Sequence, residues 1–353
     1  MTTTTVKLAK ALTIVTLVGL LAACAGPATG GPTQAANPSI KLILGAYTTP
    51  REAYGKLIPM FATQWKAKAG QEVTFEESYL GSGAQSRAIL EGFEADVTAL
   101  SLDADIERIA KAGLITHDWH SLPPNGMVST SIVVFGVRQG NPKNIHDWAD
   151  LARPGLEVLT PNPKSSGGAM WNILALYGAA LRGKVEGVPG GAEAAAIEFL
   201  KAVLKNVTVM DKGARESITN YEKGVGAVII TYENEILVGR QKGLDYELII
   251  PRSTILIENP VAVVDTYVDK HGTRAVAEAF VNFLFTPEAQ EVFAQYDLRS
   301  IDPDVAAATA SQYPPVEDLF TIGEQFGGWQ EATPKYFGDS GIYTQAIAAV
   351  QAP

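Results

Sequence analysis

From Ile40 onward, apolar strand-like runs alternate with helix-like segments. Strands are predicted at 40–47 (IKLILGAY), 72–79 (EVTFEESY) and 95–102 (ADVTALSL), and helices at 50–69, 82–93 and 103–115. A second round opens at 129–140 (STSIVVFGVRQG), passes through 156–162 and the apolar helix 169–181, and continues with β-like runs at 206–213 and 226–237. A long β-rich return, 254–268, leads into two helices within 272–295 that are divided at Thr286 and Pro287. Alternation on this spacing predicts an α/β architecture with a largely parallel sheet. Extended crossovers near 129–134 and 257–263 would join two α/β lobes, with lobe 1 at 40–129 and 260–312 and lobe 2 at 130–259. The cleft between such lobes is where a small ligand is expected.

The pattern ahead of Ile40 is different. Lys7 and Lys10 precede an uncharged apolar stretch, 11–23, too short to span a bilayer comfortably, so 1–23 reads as an export signal. The run Leu21-Ala22-Ala23-Cys24-Ala25-Gly26 resembles the lipobox of bacterial lipoproteins, in which cleavage leaves the cysteine as a diacylglyceryl-modified N-terminus. Gly- and Pro-rich 24–39 then reads as a flexible tether. Cys24 is the one cysteine of the chain, so its lipidation would leave neither a free thiol nor a disulfide. The expectation is one lipid anchor and no spanning helix.

Composition narrows the function classes. The 353 residues carry a formal charge of −10, and removal of Lys7 and Lys10 with the leader makes it −12, which argues against non-specific nucleic-acid binding. With 19% charged and 46% hydrophobic residues the chain is ordinary globular protein, long enough for two packed domains.

Four strand-to-helix elbows share one chemistry. Thr49-Pro50-Arg51-Glu52 reads as a capping box with Pro at the first helical position, and Ser82-Gly83-Ala84-Gln85 repeats the Ser-x-x-Gln form. Ser165-Ser166-Gly167-Gly168 opens the helix at 169, and Lys212-Gly213-Ala214-Arg215 opens a fourth. A helix N-terminus leaves backbone N–H groups unpaired and carries partial positive charge, so it attracts anions. In open α/β sheets the ligand crevice lies at these strand ends.

Catalysis finds little support. Ser165 and Ser166 lie outside a Gly-x-Ser-x-Gly elbow and have no neighbouring histidine. His117 and His120 read as a polar turn, His146 and His271 as loop residues, and no cluster suggests a metal or another cofactor.

At the elbows the sequence resembles the sulfate-binding proteins of ABC importers, two-lobed receptors of the periplasmic-binding-protein class. The marks are 81–89 (GSGAQSRAI), 93–102, 140–148, 161–172 (PNPKSSGGAMWN), 211–215 (DKGAR), 232–235, 260–265 and 326–329. The resemblance implies a type II fold of two Rossmann-like lobes joined by hinge crossovers, with segment 313–353 packing back across them. It implies a monomer that performs no chemistry, binds sulfate and delivers it to a permease. The ligands would be the N–H groups of Thr48, Ser82, Gly167, Gly168 and Ala214, the Ser166 hydroxyl, and Tyr232 where the family usually has tryptophan. Relatives commonly carry Asp at the position of Thr48, a change that spares a main-chain donor. Asp105 and Arg215 would support the ligating peptides from behind.

About seven charge-assisted hydrogen bonds suit a micromolar dissociation constant, or ~8 kcal/mol. A donor-only site prefers unprotonated sulfate to phosphate, whose proton needs an acceptor. Tyr232 complicates this, because a phenol donates or accepts, and poorer exclusion of phosphate is expected. The other readings are a receptor for thiosulfate, phosphate or molybdate, and a secreted phosphate- or sulfate-ester hydrolase using Ser166.

Overall fold

The computed structural model describes residues 37–352; the leader, Cys24 and most of the tether lie outside the described residues. The first lobe opens with β1 (Asn37–Tyr47), α1 (Arg51–Ala69), β2 (Gln71–Leu80), α2 (Ser82–Leu90), β3 (Val97–Ala99) and α3 (Asp103–Lys111). The second comprises β4 (Met127–Arg138), β5 (Val158–Leu159), α4 (Gly167–Leu181), α5 (Glu193–Lys205), β6 (Val207–Val209), α6 (Ala214–Glu222), β7 (Val228–Tyr232), α7 (Glu233–Gln241) and β8 (Tyr246–Ile249). Strand β9 (Ser253–Val263) returns the chain to α8 (Asp265–His271), α9 (Arg274–Leu284) and α10 (Pro287–Gln295). Beyond them β10 (Asp318–Phe320) adds to β9.

The strands follow the order β2-β1-β3-β9-β4-β7-β5-β6. β1 is parallel to β2 and β3, and β5 is parallel to β6 and β7. β4 and β9 run antiparallel to each other, and to β7 and β3 respectively, so the sheet is mixed where a largely parallel one was expected. The reason is topological: these two strands carry the chain out of one lobe and back, and must point opposite ways.

Period-2 patterning puts each lobe's sheet between two helical layers. Along β4, Val133, Phe135 and Val137 join a core with α4 and α5, while Ile132 and Val134 face α6 and α7. Along β1, Leu42, Leu44 and Ala46 pack with α1, α9 and α10; Ile89, Ile106 and Tyr267 form the layer on the far side. β9 serves both lobes, with Ile255 and Ile257 in the second core and Val261 and Val263 in the first. The C-terminal segment adds Phe320, Phe326, Trp329, Tyr336 and Tyr343 to the second lobe's core, and its helix Trp329–Ala332 also approaches α3.

Several local expectations are corrected. The run 226–237 is not one strand, because Tyr232 ends β7 and Glu233 begins α7, whose first-turn acids Glu233 and Glu235 suit a helix N-terminus. Likewise 254–268 turns helical at Asp265. His271, expected in a loop, closes α8 and bonds Asp96 and Glu94. Neither of the first two elbows is a capping box. Pro50 holds the N-cap position of α1 with no side-chain cap, and the buried Thr49 Oγ1 caps no N–H of that helix. Gly81 caps α2, where Gln85 Oε1 instead accepts from Ser78. Capping boxes do occur at Asp147/Asp150 and Thr321/Glu324.

Candidate functional site

The four elbows lie at the ends of β1, β2, β5 and β6, and the fold brings them together. Ala84 N–H donates to Ser165 O at 3.2 Å across the lobes, and Ser165 Oγ donates to Lys212 O at 2.7 Å. Gly81 lies so close to both that an added Cβ would sit 2.6 Å from Ser165 O and 2.9 Å from Lys212 O. The first elbow is joined to the fourth by Arg215, whose Nη2 donates to Thr49 O at 3.4 Å.

Around this convergence the peptide N–H groups of Thr48, Ser82, Gly167, Gly168 and Ala214 have no hydrogen-bond partner among the described residues, and all five residues are buried. They are bare because they occupy first-turn or pre-helix positions, where no carbonyl four residues back is in reach. Ser166 caps α4: its Oγ accepts from Ala169 N–H at 3.3 Å, which leaves the hydroxyl proton free to donate. The absence of side chains at Gly167 and Gly168 is required by their neighbours. A Cβ at Gly167 would lie 2.7 Å from Ser101 Oγ, and one at Gly168 would lie 2.7 Å from Tyr232 Cε2.

Two titratable groups, Asp105 and Arg215, stand behind the elbows. Ser82 Oγ donates to Asp105 Oδ2 at 2.6 Å while accepting from Ser101 N–H at 2.9 Å, so Asp105 holds the side chain of Ser82 rather than its peptide. Burial pushes the Asp105 carboxyl up, against the opposing pull of Arg108, 2.9 Å away, and of the Ser82 bond. Arg215 is held between Glu52 of α1 and Glu235 of α7, at 2.8 and 3.2 Å. Burial opposes its charge, but the two carboxylates more than restore it and hold Arg215 above the usual arginine range. Burial also raises Glu235, with Arg215 opposing, and Glu235 Oε1 has no partner among the described residues.

Tyr232 is fully buried at the end of β7, its ring against Gly168 and near Tyr47, with centroids 6.2 Å apart. Its phenol oxygen is engaged, lying 2.6 Å from Ser101 Oγ. Ser101 went unnoticed in the sequence and is the meeting point of both lobes: its carbonyl accepts from the Trp171 indole at 3.0 Å and from Asn259 at 3.3 Å. The available signal was its place just past β3, where the elbows also lie, but Leu102-Asp103 carries no glycine to draw attention.

A two-lobed α/β body whose strand-to-helix turns meet, with bare peptide donors at the helix starts, has the build of a solute-binding receptor, and helix starts of this kind suit an anion. Comparison with known proteins agrees. The family described as bacterial extracellular solute-binding protein matches residues 42–299. The chain is 45% identical over 342 residues to the sulfate-binding protein of Synechocystis sp. (strain ATCC 27184 / PCC 6803 / Kazusa), covering 95% of each chain. It is 43% identical over 310 residues to that of Escherichia coli (strain K12), covering 87% of this chain and 92% of the relative. Among solved structures, the sulfate-binding protein SubI from Mycobacterium tuberculosis H37Rv matches with a TM-score of 0.77 and 38% identity, over 84% of this chain and 99% of that one. The chain belongs to the sulfate-binding protein family of bacterial extracellular solute-binding proteins. These relatives are named as binding proteins, and among the described residues no helix is long and apolar enough to cross a membrane.

Proposed function

We propose that this protein is an extracytoplasmic, lipid-anchored receptor that closes on sulfate and delivers it to an ABC permease, without acting as an enzyme. In this reading residues 40–129 and 260–312 form one lobe, 130–259 the other, and Cys24 carries the lipid. The observation that carries it is the convergence of bare N–H groups from four strand-to-helix turns, a donor set that fits an unprotonated dianion. Kinship with sulfate-binding proteins supports the choice of anion.

Titration calorimetry with sulfate tests the reading, with a dissociation constant near a micromolar expected. Ser166→Ala should weaken binding about 10- to 100-fold through one lost charge-assisted donor. Undetectable sulfate binding at millimolar concentration would sink the reading. Hydrolysis of a sulfate or phosphate ester that disappears in Ser166→Ala would instead establish an enzyme. Membrane association in the producing cell, lost on Cys24→Ser, tests the anchor.

A further inference from the structure

The phenol expected to act as a free donor or acceptor is tied to a second hydroxyl, and that bond has a preferred direction. A phenol is the stronger hydrogen-bond acid, with a pKa of about 10, and an aliphatic hydroxyl oxygen is the better acceptor. The surroundings favour the same direction. Asn259 turns its amide NH2 to this side, donating to Ser101 O at 3.3 Å, while its Oδ1 accepts from Ser129 Oγ at 3.5 Å. As the stronger acid of the pair, the phenol gives its proton to Ser101 Oγ, 2.6 Å away. The Ser101 proton then remains, polarised by the bond its oxygen accepts. Ser101 is 1% exposed, and its Oγ crowds Gly167, whose N–H is among the bare donors.

We propose that Ser101 is a specificity-determining residue of this site: its hydroxyl, oriented by the Tyr232 phenol, donates to the bound oxyanion. Tyr232 is then a positioning residue one bond removed from the anion. This rests on the reading of the site as a sulfate receptor. The pair presents a proton rather than a lone pair, as a single N–H donor would, so phosphate is excluded despite the phenol.

Calorimetry with inorganic sulfate and inorganic phosphate, at pH 6 and pH 8, tests this on the wild type, Ser101→Ala, Tyr232→Phe and the double variant. Ser101→Ala should weaken sulfate binding about 10- to 100-fold. Tyr232→Phe should weaken it less, by roughly threefold to tenfold, and should admit phosphate because the serine hydroxyl is free to turn. The double variant should bind sulfate no more weakly than Ser101→Ala, since the two hydroxyls act in series. A loss in Tyr232→Phe as large as in Ser101→Ala, or losses that add in the double variant, would make the phenol the terminal donor and overturn the proposal. Phosphate exclusion unchanged in Tyr232→Phe would overturn it as well. Should Ser101→Ala fail to fold by thermal unfolding, Ser101→Cys fills the same space with a weak donor and should show the same loss; sulfate affinity unchanged in Ser101→Cys would overturn the proposal. Failure of the wild type to bind sulfate is a different result, because it refutes the receptor reading itself.

Discussion

Arg215 and Glu52 are paired across the two lobes, Nη1 to Oε1 at 2.8 Å and Nη2 to Oε2 at 2.9 Å, a bidentate bridge between α6 and α1. Arg215 also touches buried Glu235 within its own lobe, so its charge stays partnered when the lobes part. The bridge to Glu52 therefore bears on closure more than on folding. Glu52→Gln should weaken sulfate binding about fivefold, or ~1 kcal/mol, with little change in the melting temperature of the free protein. Calorimetry and thermal unfolding check the two halves of this outcome. Burial raises Glu52, but Arg215 and Lys242 more than offset it and leave it below the usual glutamate range. Its contribution is thus present above the ordinary glutamate pKa and is lost as pH falls through the lowered one.

Gly81 sets how closely the elbows meet. Its φ of −58° is open to any residue, so the demand is one of space alone. Gly81→Ala should leave each lobe folded while its methyl group meets Ser165 O and Lys212 O. Sulfate affinity should fall about 10- to 100-fold, the cost of overpacking a tight contact. Small-angle scattering with saturating sulfate should show a larger radius of gyration than the wild type; equal compaction would refute the steric account.

Asp297 is a stability liability at neutral pH. Burial first, and then the nearby Glu233 charge, push its carboxyl up to about 6, with only the Gln241 bond opposing. A raised carboxyl means that the folded state holds its proton longer than the unfolded chain, so stability falls as pH rises from about 4 through 6. Asp297→Asn keeps an acceptor for Gln241 and suits the local φ of 56°. It should stabilise by about 1–2 kcal/mol at pH 7, a gain that shrinks toward zero at pH 4. Denaturant titrations at both pH values check this.

Gly178 of α4 is where the C-terminal segment meets the second lobe, and a Cβ there would lie 2.5 Å from the Phe320 ring. Gly178→Ala should destabilise by roughly 1–3 kcal/mol despite the better helix propensity of alanine. Truncation before Asp318 should remove that penalty, because the clash is with the tail; the melting temperatures of the four proteins make the cycle.

Much of the fold was legible because the signals were local. The apolar runs of β1 and β4, the start of β9 and the Thr286-Pro287 break between α9 and α10 were read close to their observed limits. What failed depended on distant partners. Nothing near 226–237 shows that Glu233 will be met by Arg299, at 2.7 Å, which lets a buried acid start a helix inside what looked like one strand. Glu52 carries the sequence of a capping box, but its carboxylate is drawn to an arginine 163 residues away. The meeting of the elbows could be read from the sequence because small residues after a strand mark each helix start. Ser101 could not, because a hydroxyl on an ordinary-looking turn gains its role only through Tyr232, which reaches it from the other lobe.

The crossover strands have a mechanical consequence. β4 and β9 leave the lobes side by side, hydrogen-bonded from Met127 and Pro260 to Ile132 and Leu256. Two chains laced together resist twisting and sideways shear far more than bending normal to their ribbon. Opening and shutting of the lobes would then follow the bend of that ribbon, and closure along it would return Ser101 to Tyr232 in the same register.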